Sequence, residues 1–97
     1  MKIKVIIDER GAPAGKVADA ELHFEDGPLA GLKLIGFGIW ERRGGSGLNV
    51  TFPARSYQVN GERRSFALLR PVGELDSANA LRDSIIAAYE LERDKAL

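Results

Sequence analysis

The sequence predicts an α+β domain: an antiparallel sheet of four to six strands, followed by one C-terminal α-helix. Three observations predict it. Period-two alternation runs through the segments 2–8, 16–25 and 48–52, the spacing of strands with one covered face. Turn chemistry built on Gly and Pro separates those segments, and Asn60-Gly61 lies between two further strand-like runs. Only the last segment, from Asp76 onward, changes to helical spacing.

In the first strand, Ile3, Val5 and Ile7 share one parity, and the 9–15 stretch then reads as a Gly/Pro turn region. The next segment alternates more cleanly. Ala18, Ala20, Leu22 and Phe24 take one face, while Val17, Asp19, Glu21, His23 and Glu25 take the other, wet one. After the Asp26-Gly27-Pro28 turn, a central strand is expected over 29–41. Its two parities are Leu32, Leu34, Gly36, Gly38, Trp40 and Lys33, Ile35, Phe37, Ile39. Both read as apolar, so both call for cover, and burying Phe37 or Ile39 is worth roughly 1.5–3 kcal/mol each. Gly36 and Gly38 leave a bare lane where another element can approach closely.

Arg42 to Gly47 reverses the chain into a strand with Leu48, Val50 and Phe52 on one side, which Pro53 ends or confines to an edge. Asn60-Gly61 is the strongest hairpin signal present, because a type I′ turn requires positive φ at both central residues. A two-residue loop there pairs Val59 with Glu62, Tyr57 with Arg64 and Arg55 with Phe66. Arg55, Tyr57 and Arg64 then share a face, with Ser56, Gln58, Arg63 and Ser65 on the other. The strand is expected to continue from Phe66 to Leu69 until Pro71-Val72-Gly73 stops it. Asp76 or Ser77 can cap the final helix, whose stripe is Ala78, Leu81, Ile85, Ala88 and Tyr89.

At 97 residues the chain is long enough for one core, and it hides only roughly 60–65% of its unfolded surface, so a second subunit would add burial. Hydrophobic content of 44% and charged content of 29% are those of a folded protein. The absence of cysteine excludes disulfides and thiolate metal sites and suits a reducing cytoplasm. The opening Met1-Lys2-Ile3-Lys4 begins a strand, not a signal peptide, and no apolar run reaches membrane-spanning length. The expected location is cytoplasmic.

Net charge is zero, but it is unevenly placed. Between Glu41 and Pro71, six arginines (42, 43, 55, 63, 64, 70) face two glutamates, whereas the segments 8–26 and 74–97 are both acidic. A one-sided arginine patch is therefore compatible with neutrality. Arg55, Arg63, Arg64 and Tyr57, with Arg42 and Arg43 as accessories, suit nucleic acid: guanidinium groups grip phosphate, and a tyrosine ring stacks on an unpaired base. The same residues also suit a solvated hairpin in which Tyr57 shields Arg64. The Arg42–Gly47 turn is no phosphate loop, since it joins two strands and lacks the Gly-Lys-Ser/Thr ending. His23 is the only histidine, and Glu21 and Glu25 beside it are what any wet strand face carries, so no metal is expected. No serine has a base partner and no acid–base pair stands out, so neither enzyme activity, cofactor nor small-molecule substrate is expected.

From Gly15 to Tyr89 the chain resembles the stage V sporulation protein G (SpoVG) family. The resemblance rests on a strand after a Gly-Lys turn, a Gly-bearing reversal into Gly47-Leu48-Asn49-Val50-Thr51-Phe52-Pro53, a basic stretch, the Gly61-Glu62 turn, and a helix reaching Ala87-Ala88-Tyr89-Glu90. The chain departs from the family pattern in carrying only Arg55 just after the proline, a longer reversal and an acidic helix end. The resemblance implies a small bacterial regulator, linked to septation and sporulation, that dimerises through its sheet and binds DNA or RNA. The central strand carries the dimer expectation in this sequence: Phe37, Ile39 and Trp40 are the candidate contacts, because one helix covers only one face. A protein–protein assembly module without nucleic-acid binding is the alternative reading.

Overall fold

A computed structural model describes residues 1–8 and 14–95. The part of the expected turn at 9–13 lies outside the described residues. The elements are β1 (Lys2–Ile7), β2 (Lys16–His23), β3 (Lys33–Glu41), β4 (Leu48–Thr51), β5 (Ala54–Val59), β6 (Glu62–Ala67) and α1 (Asp76–Lys95). Strands β1 to β4 form an antiparallel sheet in sequential order, and β5 and β6 form a separate two-stranded one. Among the described residues the fold is thus α+β, with six strands and a C-terminal helix.

Alternation decides which face of the four-stranded sheet is covered. Ile3, Val5 and Ile7 of β1 pair with Leu22, Ala20 and Ala18 of β2, so the apolar parities of both strands meet on one side. Phe37 and Ile39 of β3 and Val50 of β4 continue that side. Helix α1 packs against both edge strands, β1 and β4, and so spans the sheet. Its Ile85 and Tyr89 are buried, with Leu81 and Ile86 packed beside them. Phe37 and Phe52 meet edge to face at 5.4 Å, and the Arg82 guanidinium lies 5.2 Å from the centre of the Phe52 ring. All buried side chains among the described residues are apolar, and no buried side-chain nitrogen or oxygen there lacks a partner.

The central strand departs from its expected form in two ways. It starts at Lys33, because Gly27–Leu29 makes a turn of 3₁₀ helix, closed by Gly31 N–H donating to the Phe24 carbonyl at 2.9 Å. It also bulges. Ala20 pairs with Phe37 but Leu22 with Leu34, so β3 spends an extra residue where Gly36 sits at φ +108°, a conformation costly for residues with a Cβ. The bulge returns Leu34 to the side of Phe37 and Ile39 and turns Lys33, opposite His23, to the far side.

That far side is not the apolar surface that counting parities suggests. It carries Lys4, Glu21, His23 and Lys33, with Gly38 and Trp40 of β3 and Asn49 and Thr51 of β4. The bare lane is filled from within the chain. The Trp40 indole lies across Gly38, where an added Cβ would stand 2.7 Å from its Nε1, and Nε1 donates to Thr51 Oγ1 at 2.9 Å. At Gly36 the close approach is made by Pro53, whose Cβ lies 3.2 Å from the corresponding point.

Phe37 and Ile39 are therefore not contacts for a second copy. They are 1% and 0% exposed within one chain, under the helix. The physical reason is that the opposite face is polar and tolerates water, so one helix is enough cover. Of the three expected contacts only Trp40 lies on the open side. Two smaller boundaries also move. Strand β6 ends at Ala67, with Leu68 and Leu69 in a bend, and α1 closes its first turn on the Leu75 carbonyl, which accepts from Ala78 and Asn79 N–H at 3.1 Å. Asp76 and Ser77 thus lie inside that turn instead of capping it.

Candidate nucleic-acid interface

The hairpin β5–β6 is built by its turn. Asn60 and Gly61 adopt φ of +51° and +78°, the pair of positive angles that matches the twist of a two-residue hairpin. The register follows: Val59 opposite Glu62, Tyr57 opposite Arg64, Arg55 opposite Phe66. Every residue of the two strands is exposed except Ala67, which is half-buried. At the base, Leu68 N–H donates to the Pro53 carbonyl at 2.9 Å, so the ribbon leaves and rejoins the body at one point. The radius of gyration, 14.8 Å, exceeds the roughly 13 Å of a compact chain this long, as an arm standing off the body requires.

Side chains alternate across this arm. One face carries Arg55, Tyr57, Val59, Glu62, Arg64 and Phe66; the other carries Ser56, Gln58, Arg63 and Ser65. On the first, the Tyr57 and Phe66 rings lie 5.7 Å apart, tilted by 56°. Arg64 donates to Glu62 at 3.2 Å; both are exposed, so the pair holds the arginine only weakly. Arg55 and Arg63 make no ion pair among the described residues. The arm thus carries three guanidinium groups against one carboxylate.

The sequence-expected residues do not all converge. Arg55, Tyr57 and Arg64 come together, whereas Arg63 points from the opposite face of the same ribbon. Arg42 and Arg43 lie at the turn before β4, while the hairpin begins after it, so the two groups are at opposite ends of that strand. Both are exposed, beside a shallow hollow formed with Ala14, Gly15 and Glu41. Phe66 is the residue that sequence reasoning left out of the site. The Arg55–Phe66 pairing implied by Asn60-Gly61 was the signal that could have placed it there.

Elsewhere, chemistry-bearing groups meet on the open face of the sheet. Glu21 Oε1 lies 2.9 Å from His23 Nε2 and accepts from Lys33 Nζ at 3.3 Å. The hydrogen bond with His23 is the largest cause holding the Glu21 carboxyl below its ordinary pKa, opposed by partial burial and helped by Lys33. No group of three or more histidine or acidic side chains positioned to hold a metal occurs among the described residues, and no helix there is long and apolar enough to cross a membrane. Comparison with protein-family models, with curated proteins and with solved structures finds no match in any of the three.

Proposed function

We propose that this chain is a small, non-enzymatic bacterial regulator of SpoVG type that binds nucleic acid, DNA or RNA, through the β5–β6 arm, and that it acts in the cytoplasm as a homodimer. The observation that carries the binding is the arm itself: a ribbon standing off the body, with three arginines, one glutamate and nearly every side chain in water. A two-stranded hairpin alone is marginal in water, so an arm of this kind gains order from what covers it. Its positive charge sits where a phosphate backbone can reach it without disturbing the core, and the acidic segments lie elsewhere in the chain.

Support for a second copy comes from apolar side chains left in water, not from Phe37 or Ile39. Leu32, Ile35, Leu68 and Val72 are all well exposed, and a contact with a second copy that buried them would remove apolar surface from water. The test combines two measurements. Binding to a mixed oligonucleotide pool is expected to weaken with salt, log affinity falling against log salt with a slope of about −2 to −3 if the arm's three arginines meet phosphates. It is expected to be lost in Arg55→Ala/Arg64→Ala. A flat salt response, or unchanged binding in that variant, sinks the reading in favour of a protein–protein module. Sedimentation that finds only monomer well above micromolar concentration removes the dimer.

A further inference from the structure

Resting on the reading of the arm as the nucleic-acid contact, we infer that its Arg55/Tyr57/Arg64/Phe66 face takes unpaired strands in preference to duplex, stacking bases on the two rings and holding phosphates with the two arginines. The four side chains occupy adjacent positions of the ribbon in a checkerboard: Arg55 stands opposite Phe66, and Tyr57 opposite Arg64. Each ring thus has a cation across the ribbon from it and another two residues along its own strand. Single-strand binders combine positive groups that track the backbone with aromatic rings on which successive bases stack, and this face carries both.

The rings are the apolar surface that this face offers a ligand. Tyr57 is 40% and Phe66 41% exposed, on an element where no core is available to either. Their mutual tilt leaves ring surface unshared. Bases inside a duplex are already stacked and present only their edges, so a ring gains little there. An unpaired base covers a ring at little cost, and every base has a face to offer. The charge on this side points to the same class of ligand. Arg55 is unpaired among the described residues, and Arg64 is held only by the exposed Glu62, a bond that a phosphate can replace. The opposite face, with Ser56, Gln58, Arg63 and Ser65, has the hydrogen-bonding character suited to base edges in a major groove. The two faces therefore make opposite forecasts.

The deciding experiment is fluorescence anisotropy with a labelled oligothymidylate of about 12 nucleotides and a duplex of equal length, at one low salt concentration. The single strand is expected to bind more tightly. Tyr57→Ala and Phe66→Ala are each expected to weaken it by about 5- to 150-fold, and Tyr57→Phe to leave it nearly unchanged. Gln58→Ala is expected to have no effect. Tyr57→Leu and Phe66→Leu, which keep apolar bulk on the arm but remove the π face, are expected to weaken binding as the alanines do, with Trp40 emission confirming an intact body. Tighter duplex binding that depends on Gln58 and Arg63 overturns the inference while leaving nucleic-acid binding standing. So does single-strand binding indifferent to both rings, or a dimer that dissociates in Tyr57→Leu, which would show a second copy covering the face. Failure to bind either probe removes this inference together with the reading beneath it.

Discussion

At the scale of single residues, Gly38 and Glu21 carry the clearest consequences. Gly38 has no room for a side chain: a Cβ there would stand 2.7 Å from Trp40 Nε1 and 2.9 Å from Thr51 Oγ1. Gly38→Val is expected to displace the indole, break its bond to Thr51 and cost about 1–3 kcal/mol, in the range of overpacking. Trp40 is the only tryptophan, so a red shift of emission and a lower Tm report the change directly. Glu21 gives a pH dependence. Its folded pKa lies below the ordinary value, first through His23 and then Lys33, so on acidification the unfolded chain takes up the proton before the folded one. The stability it contributes is complete above the ordinary carboxylate pKa and is lost as pH falls through the folded value. Glu21→Gln is therefore expected to lower Tm at pH 7 and to flatten the acid limb of a Tm–pH profile. An acid limb of unchanged slope would show that other carboxylates govern it.

At the scale of elements, the helix does the work that a second subunit was expected to share. Ile85 is fully buried against the sheet, and Ile85→Ala is expected to cost about 2–5 kcal/mol, a large part of the whole stability of a domain this size. Denaturant midpoints measure it, and a loss under 1 kcal/mol would mean the helix is not firmly seated. How far the elements could be read beforehand depended on how local their causes are. Alternation in β2 named its buried residues, and Asn60-Gly61 set the hairpin register, because each is decided within a few residues. The face assignment of β3 failed at Gly36, since counting parities assumes no bulge, and nothing nearer than β2 shows that one is present. The cover question failed for a similar reason. The far side is wet because Glu21 and His23 of β2 stand beside β3, with Lys4 of β1 beyond them, which only the strand order reveals. Phe66 carries no charge to mark it as a site residue, and only its pairing opposite Arg55 places it there.

At the scale of the whole molecule, the chain divides into a sheet–helix body and an arm that the body hardly touches. Every buried residue of the core belongs to β2, β3, β4 or α1, and the arm closes on itself through the 2.9 Å bond between Leu68 N–H and the Pro53 carbonyl. Replacing residues 54–67 by a Gly-Gly link is expected to leave a folded body, with Trp40 emission preserved and Tm lowered by no more than about 8 °C, the equivalent of roughly 1 kcal/mol in a domain of this size. Oligonucleotide binding is expected to vanish. A shortened chain that no longer folds would place part of the core's support in the ribbon. The closed base has a wider meaning: ligand preference and structural soundness sit on separable stretches of polypeptide, so the ribbon is free to lengthen, swap its rings or change its charge from one descendant to another while the body passes on unaltered.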